Sequence, residues 1–207
     1  MPRYKPCLAL AAFAAGLAFM ACGAGDGGDP PAPLAAGSAT PTYRVEVASP
    51  AFAAGETIPV KHTCDADDVS PAISWRLVRQ DPPAAGAQSA PVEVKSFALI
   101  VEDPDAPGGT WTHWVVYGIP PGVAELHEGV PSGENLSGGG RQGANDFRRL
   151  GYGGPCPPGG APHRYIFKVF ALAGDIELDA GATREDLLAA MGGLVLYQGQ
   201  LMGRYGR

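Results

Sequence analysis

One residue in four of this chain is glycine or proline: 30 glycines and 21 prolines among 207 positions. Both weaken helix interiors, glycine through backbone entropy and proline through its missing N–H and its clash with the preceding turn. A chain punctuated this often cannot be mainly helical and must consist of short segments joined by turns. Between the turns apolar residues are plentiful, 45% of the chain against 17% charged. That balance excludes a disordered or coiled-coil protein and suits one domain with one buried core. A formal net charge of −6 argues against nucleic acid as a partner.

The apolar runs read as strands. Residues 43–47 alternate apolar and polar, the period of a half-buried strand, and 58–63 and 73–77 are similar short runs. Residues 95–102 form a continuous apolar strand, expected at the centre of a sheet. Residues 112–119 and 164–172 are strong strands, and 194–201 is the last. One helix is expected after Thr183, which caps it, with Asp186 at the capping-box position. Leu187, Leu188 and Met191 give its apolar stripe, and Gly192-Gly193 end it. The expected fold is mostly antiparallel β with few short helices. Gln80–Pro91 reads as an exposed loop. Pro131–Leu150 is a longer one, and a loop of that length in a compact domain is functional or packed in a defined form.

The first residues read as an address. Arg3 and Lys5 precede an uninterrupted apolar run over residues 8–21, 14 residues long. A bilayer core of about 30 Å takes about 20 helical residues, so this run fits the core of a secretory signal and not a membrane span. Its end, Phe19-Met20-Ala21-Cys22-Gly23, resembles a bacterial lipobox, in which the cysteine is lipidated and becomes the mature N-terminus; an ordinary signal peptide cut nearby is the other reading. Residues 1–21 are then the signal, 22–42 a flexible tether poor in large apolar side chains, and 43–207 the folded domain. The expected location is the bacterial cell envelope, with the protein anchored by lipid to a membrane and its domain in the periplasm or outside the cell. More than one acyl chain is needed for a stable anchor.

Three segments carry candidate chemistry. Asp103-Pro104-Asp105-Ala106-Pro107 presents two carboxylates in a turn stiffened by proline; it either ends a strand as an Asx-type turn or serves a site. Trp111-Thr112-His113-Trp114 opens the next strand, where alternation puts Trp111 and His113 on one face and Thr112 and Trp114 on the other. His113 is either a satisfied core histidine or an anion ligand beside an aromatic wall. The third segment is glycine- and proline-rich, residues 151–160, followed by His163-Arg164-Tyr165. Its Gly153-Gly154 pair has the composition of a backbone anion nest, or else it is a rigid connection. No HExxH, paired CxxC, P-loop, Rossmann or GxSxG pattern is present, so neither an enzyme nor a metal or cofactor is expected. Once Cys22 is lipidated, Cys64 and Cys156 remain as an even pair in an oxidising compartment. A bridge between them would contribute at most about 4–5 kcal/mol by the chain-entropy model; two buried thiols are the alternative.

Together the segments resemble the phosphatidylethanolamine-binding protein family, also called Raf-kinase-inhibitor-like proteins, in its bacterial branch. The matching residues are Ser70-Pro71-Ala72-Ile73-Ser74-Trp75, Asp103 to Pro107 with Trp111-Thr112-His113, the run Gly151-Tyr-Gly-Gly-Pro-Cys-Pro-Pro158, and His163-Arg164-Tyr165. The resemblance implies a large central antiparallel sheet flanked by a smaller one, and a small anion pocket at one sheet end. By motif match its residues are Asp103, Asp105, Pro107, Trp111, His113, Pro157, His163 and Tyr165, with Gly154 from the glycine-rich loop. Ala72 stands where a second proline is usual, one histidine follows Trp111 where animal members have two, and no segment is left for their C-terminal helix. The expected function is a non-enzymatic, membrane-tethered binding protein for a small phosphorylated or zwitterionic ligand such as a phospholipid head group. An unknown protein partner, as in a protease- or kinase-inhibitor-like regulator, is the alternative, and a metal or thiol hydrolase is the more remote one.

Overall fold

The structure, a computed structural model, describes residues 42–80 and 93–207. The expected signal, Cys22, the tether through residue 41 and most of the loop expected at Gln80–Pro91 lie outside the described residues. The strands are β1 (Tyr43–Ala48), β2 (Ile73–Arg79), β3 (Ser96–Asp103), β4 (Trp111–Ile119), β5 (Glu125–Leu126), β6 (Arg141–Gln142), β7 (His163–Leu172) and β8 (Val195–Tyr205), with one α-helix, α1 (Arg184–Ala190), before the last. They form two antiparallel sheets, a small one in the order β1-β2-β5 and a large one in the order β6-β4-β3-β7-β8.

β3 is buried at every position, which is why its sequence is a continuous apolar run and not an alternating one. Phe97, Leu99 and Val101 on one face pack with Val45 and Val47 of β1 and Ile73 and Trp75 of β2. Ala98 and Ile100 on the other face pack with Val115 and Tyr117 of β4, Leu187 of α1 and Met191 just beyond it. The small sheet packs on the large one as expected, and the helix covers the large sheet's other face. Each fully buried Val, Leu, Ile or Phe contributes about 1.5–3 kcal/mol. The helix starts as the sequence requires: Thr183 Oγ1 accepts the Asp186 N–H at 3.2 Å, and the Asp186 carboxylate accepts the Thr183 N–H at 2.9 Å.

One expected strand is not formed. Residues 58–63 contain a 3-10 turn, Val60–His62, entered through Pro59 at φ −58° and ψ 141°. Ile58 is fully buried while Val60 is 53% exposed, so the two apolar residues that mimic a strand face lie in different environments. The chain meets β8 here through an isolated bridge, Thr57 to Arg204, and a hydrogen bond from Gly55 N–H to Met202 O at 2.7 Å. The last strand also runs beyond residue 201, through Gly203 to Tyr205. Two glycines in β8 mark close approaches: a Cβ at Gly199 would lie 1.7 Å from Val45 O, and one at Gly203 would lie 2.5 Å from Ile58 Cγ1. The long loop at 131–150 is packed in a defined form. Gln142 in β6 is fully buried; its Nε2 donates to Pro131 O at 2.9 Å and Gly133 O at 3.0 Å, and its Oε1 accepts Trp114 Nε1–H at 2.8 Å.

Candidate functional site

Asp103 ends β3, Trp111 opens β4 and His163 opens β7. These strands are neighbours in the sheet, so the three motif segments meet at one sheet end. The pairing of β4 with β3 is irregular there. Val101 pairs with Trp114 and Glu102 with Thr112, leaving His113 as the extra residue of a bulge. A bulge re-aims a side chain locally, and this one corrects the expectation from strict alternation. The His113 ring stands edge-on to Tyr165 with centroids 5.2 Å apart, and Tyr165 belongs to the same core cluster as Trp114. His113 and Trp114 therefore share a face.

Asp103 is 3% exposed and has both oxygens engaged. Oδ1 accepts the Asp105 N–H at 2.8 Å, which makes the Asx-type turn, and Oδ2 accepts from His163 Nδ1 at 2.8 Å. The same carboxylate thus ends the strand and orients a histidine, so the two readings of this segment are not exclusive. Asp105 is turned to Arg164, accepting from its backbone N–H at 2.9 Å, its Nε at 2.8 Å and its Nη2 at 2.6 Å. That guanidinium holds the Asp105 carboxyl at about 2, below its ordinary 3.8.

His113 is 2% exposed. Its Nδ1 lies 2.6 Å from Gly153 O. A carbonyl can only accept, so the proton sits on Nδ1 and Nε2 carries the lone pair. Burial pushes its pKa down, with partial opposition from the Gly153 carbonyl and the Asp103 charge, so the ring is neutral at neutral pH. Tyr165 is 1% exposed, and its hydroxyl, close to the Asp103 carboxylate and the Cys156 backbone, makes no hydrogen bond of ordinary geometry. Burial, then the nearby Asp103 charge, push that hydroxyl's pKa up, so it remains a proton donor.

Of the two readings of the glycine-rich loop, the amides of Gly153 and Gly154 fit the rigid connection and not an open anion nest. Gly153 N–H donates to His113 O at 2.9 Å, and Gly154 N–H donates to Asp68 Oδ1 at 2.6 Å. Gly154 is instead required by packing, since a Cβ there would lie 2.4 Å from His62 O. Pro157 is buried, with its carbonyl accepting from Arg207 Nη1 at 3.2 Å. Pro107 is exposed in the turn after β3. The residues brought together are thus Asp103, His113, His163 and Tyr165, with Trp111 at the rim.

Three contributors carry no motif of their own. Phe147 joins Trp111 to His113, edge-on to both with centroids 5.5 and 5.3 Å away. Asn145 donates to Gly151 O at 2.9 Å, fixing the Phe147 loop to the glycine-rich one. Asp68 anchors Gly154 and pairs with Arg149 Nη2 at 2.7 Å. Next to Phe147, Arg148 sits at φ 62°, in the left-handed region that is costly for residues with a Cβ. Arg148→Gly is therefore expected to stabilise the protein by about 0.5–1 kcal/mol, the relieved strain being partly offset by glycine's unfolded-state entropy; a lower thermal midpoint would contradict this.

The family model described as phosphatidylethanolamine-binding protein matches residues 48–206. The chain belongs to the phosphatidylethanolamine-binding protein family. A UPF0098 protein of Aquifex aeolicus is 48% identical over 165 residues, covering 79% of this chain and 89% of that protein. The lipoprotein candidate LppC of Mycobacterium tuberculosis is 34% identical over 210 residues, covering 96% of this chain and 94% of its own. Among solved structures, the family homologue CT736 of Chlamydia trachomatis superposes with TM-score 0.66 at 37% identity, covering 79% of this chain and 98% of its own. YbcL of Escherichia coli superposes with TM-score 0.66 at 30% identity, covering 79% and 99%.

The glycine-rich segment beside the strand-end cluster is tied down by a disulfide between Cys64 and Cys156, whose Cα atoms are 5.4 Å apart. A groove of about 1020 Å³ lies on another face, between the small sheet and residues 122–139, and includes none of the strand-end cluster. Among the described residues, no three His, Cys, Asp or Glu side chains are placed to hold a metal ion, and no helix is long and apolar enough to cross a membrane.

Proposed function

We propose that the strand-end cluster binds the anionic oxygens of a phosphate monoester or phospholipid head group, without catalysis, on a protein held at a membrane through lipidated Cys22. The observation that carries this reading is the Tyr165 hydroxyl, buried against His113 and Asp103 without a hydrogen bond of ordinary geometry. A buried donor left unpaired costs about 1–3 kcal/mol, and a ligand oxygen would satisfy it. His113 complements it: the neutral ring offers Nε2 as an acceptor, and a protonated ring offers a second donor. His163, fixed through Nδ1 by Asp103, keeps Nε2 for the ligand. With both Asp103 oxygens engaged and Asp105 committed to Arg164, an anion is favoured over an ammonium group where its binding protonates the His113 ring and turns Nε2 into a second donor beside the Tyr165 hydroxyl. The family's name points to the same ligand class. The LppC match leaves only about 4% of this chain uncovered, so it runs through the Cys22 segment, which supports the anchor.

Calorimetric titration of the purified full chain with phosphoethanolamine, inorganic phosphate and acetate tests this. Saturable binding of the two phosphates is expected, stronger than that of acetate. Their binding charges the His113 ring, so protons are taken up and affinity falls as pH rises through the neutral range. Tyr165→Phe is expected to weaken binding about tenfold while raising stability by about 1 kcal/mol, because the unpaired hydroxyl is gone. Absence of saturable binding by all three probes would discard the reading in favour of a protein partner.

A further inference from the structure

The disulfide at the rim is built differently from a buried structural bridge. Cys156 is exposed and Cys64 half-buried. Arg207 Nη2 lies 2.8 Å from Cys64 Sγ and 3.4 Å from Cys156 Sγ. This guanidinium is fixed from three sides: its Nη2 and Nε donate to Asp65, at 2.6 and 2.9 Å at closest, and its Nη1 donates to Pro157 O at 3.2 Å. Asp65 is held in turn by the Tyr205 hydroxyl at 2.7 Å. The Asp65 charge offsets part of the guanidinium's field but leaves an N–H aimed at the sulfur. The two segments that carry the cysteines are joined by other bonds as well. Cys64 N–H donates to Pro155 O at 3.1 Å, Gly154 N–H to Asp68 Oδ1 at 2.6 Å, and Tyr152 Oη–H to His62 O at 2.8 Å. Opening the S–S bond thus leaves the sulfurs side by side, ready to close again.

We propose that Cys64–Cys156 is a reversible exchange site for a dithiol reductant, with Cys156 as the sulfur attacked and Cys64 as the leaving thiolate. An incoming thiolate bonds to exposed Cys156 Sγ while the S–S bond breaks, and the electron pair goes to Cys64 Sγ, beside Arg207. A lower leaving-group pKa speeds this step, and a neighbouring arginine lowers a cysteine's pKa. The second thiol of the reductant, deprotonated, then attacks its own sulfur in the mixed disulfide. That electron pair goes to Cys156 Sγ, which takes up a proton. In sum the protein gains two electrons and the dithiol becomes a disulfide. The oxidised form returns when an oxidised dithiol of the same class runs the sequence in reverse. The site borders the proposed phosphate pocket through Pro157 but does not depend on it.

The test uses the full chain in native buffer. Glutathione serves as the monothiol probe, followed by acid quench and peptide mapping. The mixed disulfide is expected on Cys156, with Cys64 recovered as the free thiol. Arg207→Gln is expected to slow reduction by dithiothreitol about fivefold or more, since a leaving thiol raised by about two pKa units costs roughly that factor. Arg207→Lys should recover part of the rate, and circular dichroism melts of the oxidised variants report their fold. Glutathione found mainly on Cys64, or equally on both, would overturn the proposal, and this measurement needs no variant to fold. So would equal rates for wild type and Arg207→Gln, or reduction that proceeds only in denaturant.

Discussion

Gly199→Ala is expected to lower the thermal midpoint by about 10 °C. The added Cβ would lie 1.7 Å from Val45 O and 2.6 Å from Val45 C. Both are backbone atoms, so no rotamer change relieves the clash; β1 must move away from β8. Val45 and Val47 are buried on the β1 side of the core that this movement would open. Changes of this kind belong to the rare class that costs about 4 kcal/mol or more, and for a domain of this size each kcal/mol is worth about 2–4 °C. Gly159→Ala serves as the control, because a Cβ there meets nothing within 4 Å. Calorimetric melts that place both variants within about 3 °C of wild type would show that β1 and β8 are not in this close approach.

The second large effect is expected at Asp68. Its carboxylate takes the buried Gly154 N–H at 2.6 Å and Arg149 Nη2 at 2.7 Å, and its own backbone sits at φ 55°. Asp68→Ala strands the amide and keeps the left-handed backbone, for a loss of about 2–4 kcal/mol. Asp68→Gly strands the same amide but relaxes the backbone, and should be less damaging by about 1 kcal/mol. Urea unfolding that ranks the two variants equally would remove backbone strain from the account. Both variants should also weaken phosphoethanolamine binding, because Gly153, next to the freed amide, holds the His113 tautomer through its carbonyl.

Much of this was legible from the residues. β3, β4 and β7 are long apolar runs, and the capping box of α1 is a local pattern, so periodicity and spacing reach them. β5 and β6 have two residues each and carry no period to detect. The run at 58–63 misleads because Ile58 and Val60 share a strand-like spacing, while Pro59 bends the chain between them. At the site, the motifs name Asp103, His113, His163 and Tyr165 but not how they are used. The facing of His113 depends on a bulge, a property of two strands at once. Asp68 and Gly154 are 86 residues apart, and no single segment announces that a glycine amide is already taken.

Glu102 and Asp103 are consecutive carboxylates of β3 that are held on opposite sides of the sheet. Glu102 is gripped by Lys168 and Arg184 toward the helix, and Asp103 by His163 and its own turn. Sliding of β3 along its axis would break both sets of contacts, so the floor of the site has no hinge. A ligand bound as proposed would therefore meet a rigid surface and add little protein ordering entropy to its own cost of association. Among head groups that fit, discrimination should then reside in dissociation rates, with association rates nearly the same for all.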